Sequence, residues 1–226
     1  MREKVGEACS CRRAFDARSG IRDVVFLRRK PATTLLVCAS RPLADVRASD
    51  AALEVFAAVL GGGLEGRLPA ILRERNTLTY SAWATVLVRR HARAFVACAP
   101  LAAARADLGV RLFKETLEGL RTAPPTAAEL TRARALHVAR LESAHDDLAR
   151  STDTWLEATL LGKRGPRLDA ERRALDQVTG AEVQAIARTV LRPDTLRWIV
   201  SGDPSAAALA IESTRLGRLR PYLARP

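Results

Sequence analysis

The sequence predicts an α+β fold, one mainly antiparallel sheet with helices packed on one face, and three observations carry that reading. Two β-like runs meet at His91 as an antiparallel hairpin. The helical segments come in groups and do not alternate singly with strands. The strict βαβαβ rhythm of a doubly wound fold is absent. With 226 residues, 48% of them hydrophobic, the chain can bury one substantial core.

The elements follow in order. VVFLRR (24–29) and TTLLVCAS (33–40) are rich in β-branched residues and separated by Pro31, so they read as a pair of strands or one interrupted strand. Ser49-Asp50 supplies an N-cap, and Leu53, Phe56, Ala57 and Leu60 recur at helical spacing until Gly61, Gly62 and Gly63 end the helix in a structural turn. A shorter helix covers 68–75, because Pro69 is tolerated only in a first turn. LTYSAWATVLVRR (78–90) and RAFVACAPL (93–101) form the hairpin. Residues 102–121 return to a helical stripe of Leu108, Leu112, Phe113, Leu117 and Leu120. Two capping boxes, Thr126 with Glu129 and Thr179 with Glu182, start further helices. The first opens a helical region to about residue 150 that resumes through 155–161, and the second a helix ending near 191; a short helix covers 168–175 between them. TLRWIVSGDP (195–204) is a strand running into a turn, followed by a short helix. This divides the chain into a polar flexible leader (1–20), a single domain (21–212) and an arginine-rich tail (213–226).

The formal charge is +12, which invites a nucleic-acid reading. All but four of the 37 basic residues are arginine, however, and they are spread along the chain beside abundant alanine, a pattern that GC-rich coding also produces. Aromatics are only 4%, so stacking platforms for bases are scarce. The N-terminus has no apolar signal segment and no run is long enough to span a membrane, which leads us to expect a cytoplasmic chain. Cys9, Cys11, Cys38 and Cys98 match no zinc spacing and are expected as reduced thiols, the latter two buried in strands.

No complete catalytic set is present. Gly61 to Leu68 approaches a phosphate loop, but Arg67 and Leu68 stand where the lysine and the hydroxyl are needed, and the preceding residues are helical. His91, His137 and His145 have no metal-binding spacing, and His137 and His145 read as solvated helix residues. Asp146 and Asp147 lie among arginines, where ion pairing accounts for them.

Three blocks in order, AALEVFAAVLGGGLEGRLPAILRERNTLTYSAW (51–83), PPTAAELTRARALHVARL (124–141) and QVTGAEVQAIARTVLRPDTLRWIVSGDP (177–204), resemble the second-half domain of pitrilysin-type zinc peptidases, the group that includes insulin-degrading enzyme and the mitochondrial processing peptidases. The resemblance covers about residues 30–204. It implies a non-zinc component of a metalloendopeptidase, inactive alone because HxxEH is absent, that binds and orients peptide opposite an HxxEH-bearing domain or subunit. Zinc is expected in that partner, and no cofactor in this chain. The family's substrate-facing arginine and tyrosine, seven positions apart, match Arg73 and Tyr80, whose guanidinium and hydroxyl would donate to a peptide carbonyl or a developing oxyanion. Gly66 stands where the family usually has serine. Two alternatives remain: a catalytically silent scaffold subunit of the same fold, and a basic nucleic-acid-binding domain.

Overall fold

The computed structural model describes residues 23–28, 33–89, 92–160, 162, 165 and 168–221. Its strands are β1 (Asp23–Arg28), β2 (Thr34–Pro42), β3 (Trp83–Arg89), β4 (Ala92–Ala102), β5 (Arg197–Gly202) and β6 (Arg218–Pro221), in one sheet of order β3-β4-β2-β5-β1-β6. The three pairings from β3 through β5 are antiparallel, and β1 pairs parallel with both β5 and β6. The fold is therefore α+β with a mixed, mostly antiparallel sheet. The helices are α1 (Asp50–Gly61), α2 (Arg67–Pro69), α3 (Ala106–Thr122), α4 (Ala127–Asp146), α5 (Leu148–Leu160), α6 (Leu168–Gln177), α7 (Gly180–Val190) and α8 (Pro204–Thr214).

Period-2 alternation decides which side of the sheet the helices cover. In β2, Leu35, Val37 and Ala39 are fully buried while the residues between them are half-buried or exposed. Leu35, Phe95, Ala97, Val200 and Val24 share one core with Phe56 of α1, Phe113 and Leu117 of α3, Val183 of α7 and Ile211 of α8. Phe56 packs on Phe95 with the rings tilted by 50° and their centroids 5.2 Å apart, and Phe113 meets Trp198 edge-on at 5.5 Å. Each such buried side chain contributes on the order of 1.5–3 kcal/mol. Both capping boxes form: Thr126 with Glu129 begins α4, and Thr179 with Glu182 begins α7. Asp147 interrupts the long helical region, its carboxylate accepting from the Arg150 N–H at 2.8 Å to start α5.

Several expectations need correction. The opening strands are not neighbours, because β5 inserts between β1 and β2. The stretch assigned to an arginine-rich tail carries β6, whose Leu219 lies in register with Val24. The thiols of Cys38 and Cys98 are not free: antiparallel register places them opposite each other with Cα atoms 4.1 Å apart, and they form a disulfide. His137 is not a solvated residue; its side chain is 19% exposed and lies beside Glu54, and burial lowers its pKa from the ordinary value. His91, Cys9, Cys11 and the leader lie outside the described residues.

The glycine turn also differs from a simple helix stop. A Cβ on Gly61 would stand 2.0 Å from the Ala84 nitrogen, so the end of α1 rests directly on the backbone of β3, and only glycine permits that approach. Gly63, at φ 63°, makes the turn itself. Arg67 then donates to Glu129 through Nε at 2.6 Å and Nη2 at 3.0 Å, clamping α2 to the start of α4. The residue that rules out a phosphate loop thus has a structural partner.

Candidate functional site: the Arg73–Tyr80 cavity and the open sheet face

After α2 the chain widens into a π-helical turn, Ala70–Arg75. Its carbonyls are satisfied from the following loop: Asn76 Nδ2 donates to Ile71 O at 2.8 Å, the Thr77 N–H to Arg73 O at 2.9 Å and the Leu78 N–H to Leu72 O at 2.8 Å. This ending needs a left-handed residue, which is usually glycine, and Thr77 occupies it at φ 51°. A β-branched side chain there is strained.

Leu78 and Ala82, both buried, pin the loop on either side of Tyr80. Leu78 O accepts from the Ala102 N–H at 3.0 Å, and Thr79 Oγ1 donates to Pro100 O at 2.5 Å, so the loop is fastened to β4. Tyr80 stands out between these anchors, 93% exposed, with no hydrogen-bond partner for its hydroxyl among the described residues. The loop, not the start of the strand as expected, carries it, since β3 begins at Trp83. Arg73 is half-exposed, its Nε 3.3 Å from Glu74 Oε1. The structure brings Arg73 and Tyr80 to one cavity of about 730 Å³, whose other walls include Thr34, Leu78, Pro100 and Ala102.

That cavity opens at one end of the sheet face that none of the described helices covers. On this face Trp83, Cys98, Cys38, Ile199 and Val25 follow one another in register across five strands. Leu36, Trp83 and Leu87 remain 41%, 42% and 41% exposed. Sequence reasoning missed this surface, although a signal existed: LLVCA (35–39) and VLV (86–88) are apolar at consecutive positions, so both faces of those strands carry apolar residues. Among the described residues no group of three or more metal-donor side chains converges.

A family model, that of the peptidase M16 inactive domain, matches residues 18–136. The chain belongs to the peptidase M16 inactive-domain family. In this pitrilysin-type group the zinc site belongs to the active domain, and inactive domains pair with active ones. Among solved structures, the chain is similar to a peptidase M16 inactive domain from Pseudomonas fluorescens, at 18% identity and TM-score 0.68, covering 80% of this chain and 44% of that one. Complex III2 from Candida albicans contains a chain similar at 16% identity and TM-score 0.70, with 86% and 48% covered. The inactive peptidase domain of a Bordetella parapertussis protein described as a zinc protease gives 23% identity and TM-score 0.60, with 76% and 93% covered. These likenesses concern the fold. The chain thus spans less than half of the first two and nearly all of the third. No match is found among curated proteins. Among the described residues, no helix is long and apolar enough to cross a membrane.

Proposed function

We propose that this M16 inactive domain is the substrate-orienting half of a zinc metalloendopeptidase, acting opposite an HxxEH-bearing domain or subunit. Peptide lies along the open sheet face, and Arg73 and Tyr80 meet it at the cavity. The observation that carries this reading is the convergence of a guanidinium and an exposed phenol on one cavity at the end of a sheet face that none of the described helices covers. Both groups are donors, able to hold a peptide carbonyl or to stabilise the oxyanion formed when water activated at the partner's zinc attacks. General base and metal come from the partner.

The test is reconstitution of peptide cleavage with the HxxEH-bearing partner. Arg73→Ala and Tyr80→Phe are each expected to lower kcat/KM by roughly 10- to 100-fold, as loss of a single transition-state donor does, with complex formation unchanged. A complex that forms and cleaves equally well with both variants defeats the proposal. A complex that forms with no peptidase activity supports the silent-scaffold alternative instead.

A further inference from the structure

The charge of the open face is predominantly positive. By register, Arg89 ends β3 on this face, Arg197 lies on it in β5, and Arg218 and Arg220 flank it in β6. Arg73 adds a fifth guanidinium at the cavity. Arg197 and Arg220 have interactions of their own, and what matters here is the sign they share with Arg73, Arg89 and Arg218. By the same register Asp23, at the head of β1 and opposite Arg218, belongs to this face, and it is the one acidic residue in any strand. The one carboxylate lining the cavity, Glu74, is engaged by Arg73. The chain's other described carboxylates sit on helices and connecting loops, where many meet arginines, as Glu129 meets Arg67 and Glu142 meets Arg172. Between the arginines the face carries Leu36, Trp83, Leu87 and Ile199, with the small hydroxyl residues Ser40, Thr85 and Ser201 among them.

From this we infer that the peptide taken on the open face is apolar and acidic, and that basic peptides are rejected. The inference rests on the peptide-binding reading above and adds the substrate class. An extended strand carrying glutamates or aspartates beside apolar residues would place its carboxylates against the marginal guanidiniums and its apolar side chains on the central ridge. A lysine-rich peptide of equal apolar content meets like charge at each of these points. Like-charge juxtaposition of this kind discriminates more strongly than attraction alone.

The experiment measures binding of the full chain to three labelled unstructured peptides of equal length and apolar content, bearing glutamates, serines or lysines, by fluorescence anisotropy. The glutamate peptide is expected to bind about tenfold or more tighter than the lysine peptide, with the gap narrowing as salt is raised. Arg89→Glu combined with Arg218→Glu is expected to close the gap. Arg111→Glu combined with Arg140→Glu, exposed on α3 and α4, changes the net charge equally and is expected to leave it. Equal or tighter binding of the lysine peptide overturns the inference while leaving peptide binding intact. An equal response to both double variants also overturns it, since the preference would then belong to the overall charge. An oligonucleotide of matched charge that binds more tightly than the glutamate peptide overturns it in favour of a nucleic-acid surface. If none of the three peptides binds, the peptide-binding reading itself falls.

Discussion

The two faces of this sheet carry similar side chains and put them to opposite use. Leu35 and Leu36 are adjacent in β2, yet Leu35 is fully buried under the helices and Leu36 is 41% exposed. In β3 the same step separates Val86, at 7%, from Leu87, at 41%. An antiparallel sheet with one wet face ordinarily sets polar residues outward. Apolar side chains half-exposed on the outward face bury less surface than those under the helices, and the proposed peptide would cover them. On the function proposed above, stability belongs to the closed face and recognition to the open one.

The neighbouring leucines give the sharpest way to break that contrast. Leu35→Ala is expected to lower the unfolding free energy by about 2–5 kcal/mol, and Leu36→Ala by less than about 1 kcal/mol. Urea denaturation of the two variants measures both. Equal losses would mean that Leu36 is covered in the folded protein and that the open face is not open.

Much of the closed face was legible in the sequence, and little of the open one. Helical spacing of Leu53, Phe56 and Leu60, and the two capping boxes, encode local geometry, so α1, α4 and α7 begin where the residue types dictate. Arg73 and Tyr80 could be singled out only through the block around them. Their meeting at one cavity depends on the π-helical turn and on the pinning of Leu78 by Ala102, which are tertiary facts. The disulfide was illegible for a similar reason. Cys38 and Cys98 are 60 residues apart, and only the register of β2 on β4 sets them opposite each other. The strand β6 is four residues with two arginines and a proline, a pattern that no local propensity marks as sheet, and its pairing with β1 creates it.

The disulfide is where the open face does contribute to stability, because it braces β2 to β4 across that surface. Replacing Cys38 and Cys98 together by serine is expected to cost on the order of 2–4 kcal/mol. Protein prepared without reductant should resist alkylation at both positions, read by mass spectrometry. Disulfides persist in oxidising compartments and are rare in the cytosol, so the same labelling on protein taken directly from cells tests the cytoplasmic location that the sequence led us to expect. Full alkylation of both thiols in the purified, folded protein would remove the brace.

On the closed side, the clamp between Arg67 and Glu129 makes stability depend on pH. The Arg67 guanidinium, helped by the Thr126 N–H, holds the Glu129 carboxyl at about 2, below its ordinary 4.5. A carboxyl depressed in the folded state stabilises fully above the unfolded value and loses that contribution as pH falls from about 4.5 to about 2. Allowing for solvent at this partly exposed pair, the contribution is about 1–2 kcal/mol. Denaturation curves across that pH range should flatten in Arg67→Ala relative to the parent chain. An unchanged acid limb in the variant would show that Glu129 is held by its capping role alone.

The smallest expected effect lies at the boundary between the two faces, in the loop that presents Tyr80. Thr77 holds a left-handed backbone at φ 51°, a conformation that costs a β-branched residue about 1–3 kcal/mol. Glycine removes that strain but adds roughly 0.5–1 kcal/mol of unfolded-state entropy, so Thr77→Gly is expected to stabilise the domain by about 1 kcal/mol or less in thermal unfolding. If the strained turn serves recognition, by fixing where Arg73 and Tyr80 point, this more stable variant should bind acidic peptide more weakly than the parent, because the loop gains freedom that binding must remove. If Thr77→Gly gains stability and binds equally well, the strain belongs to the closed face, as the cost of ending the π-helical turn over Leu72 and Leu78, and the boundary between stability and recognition moves outward to Tyr80 itself.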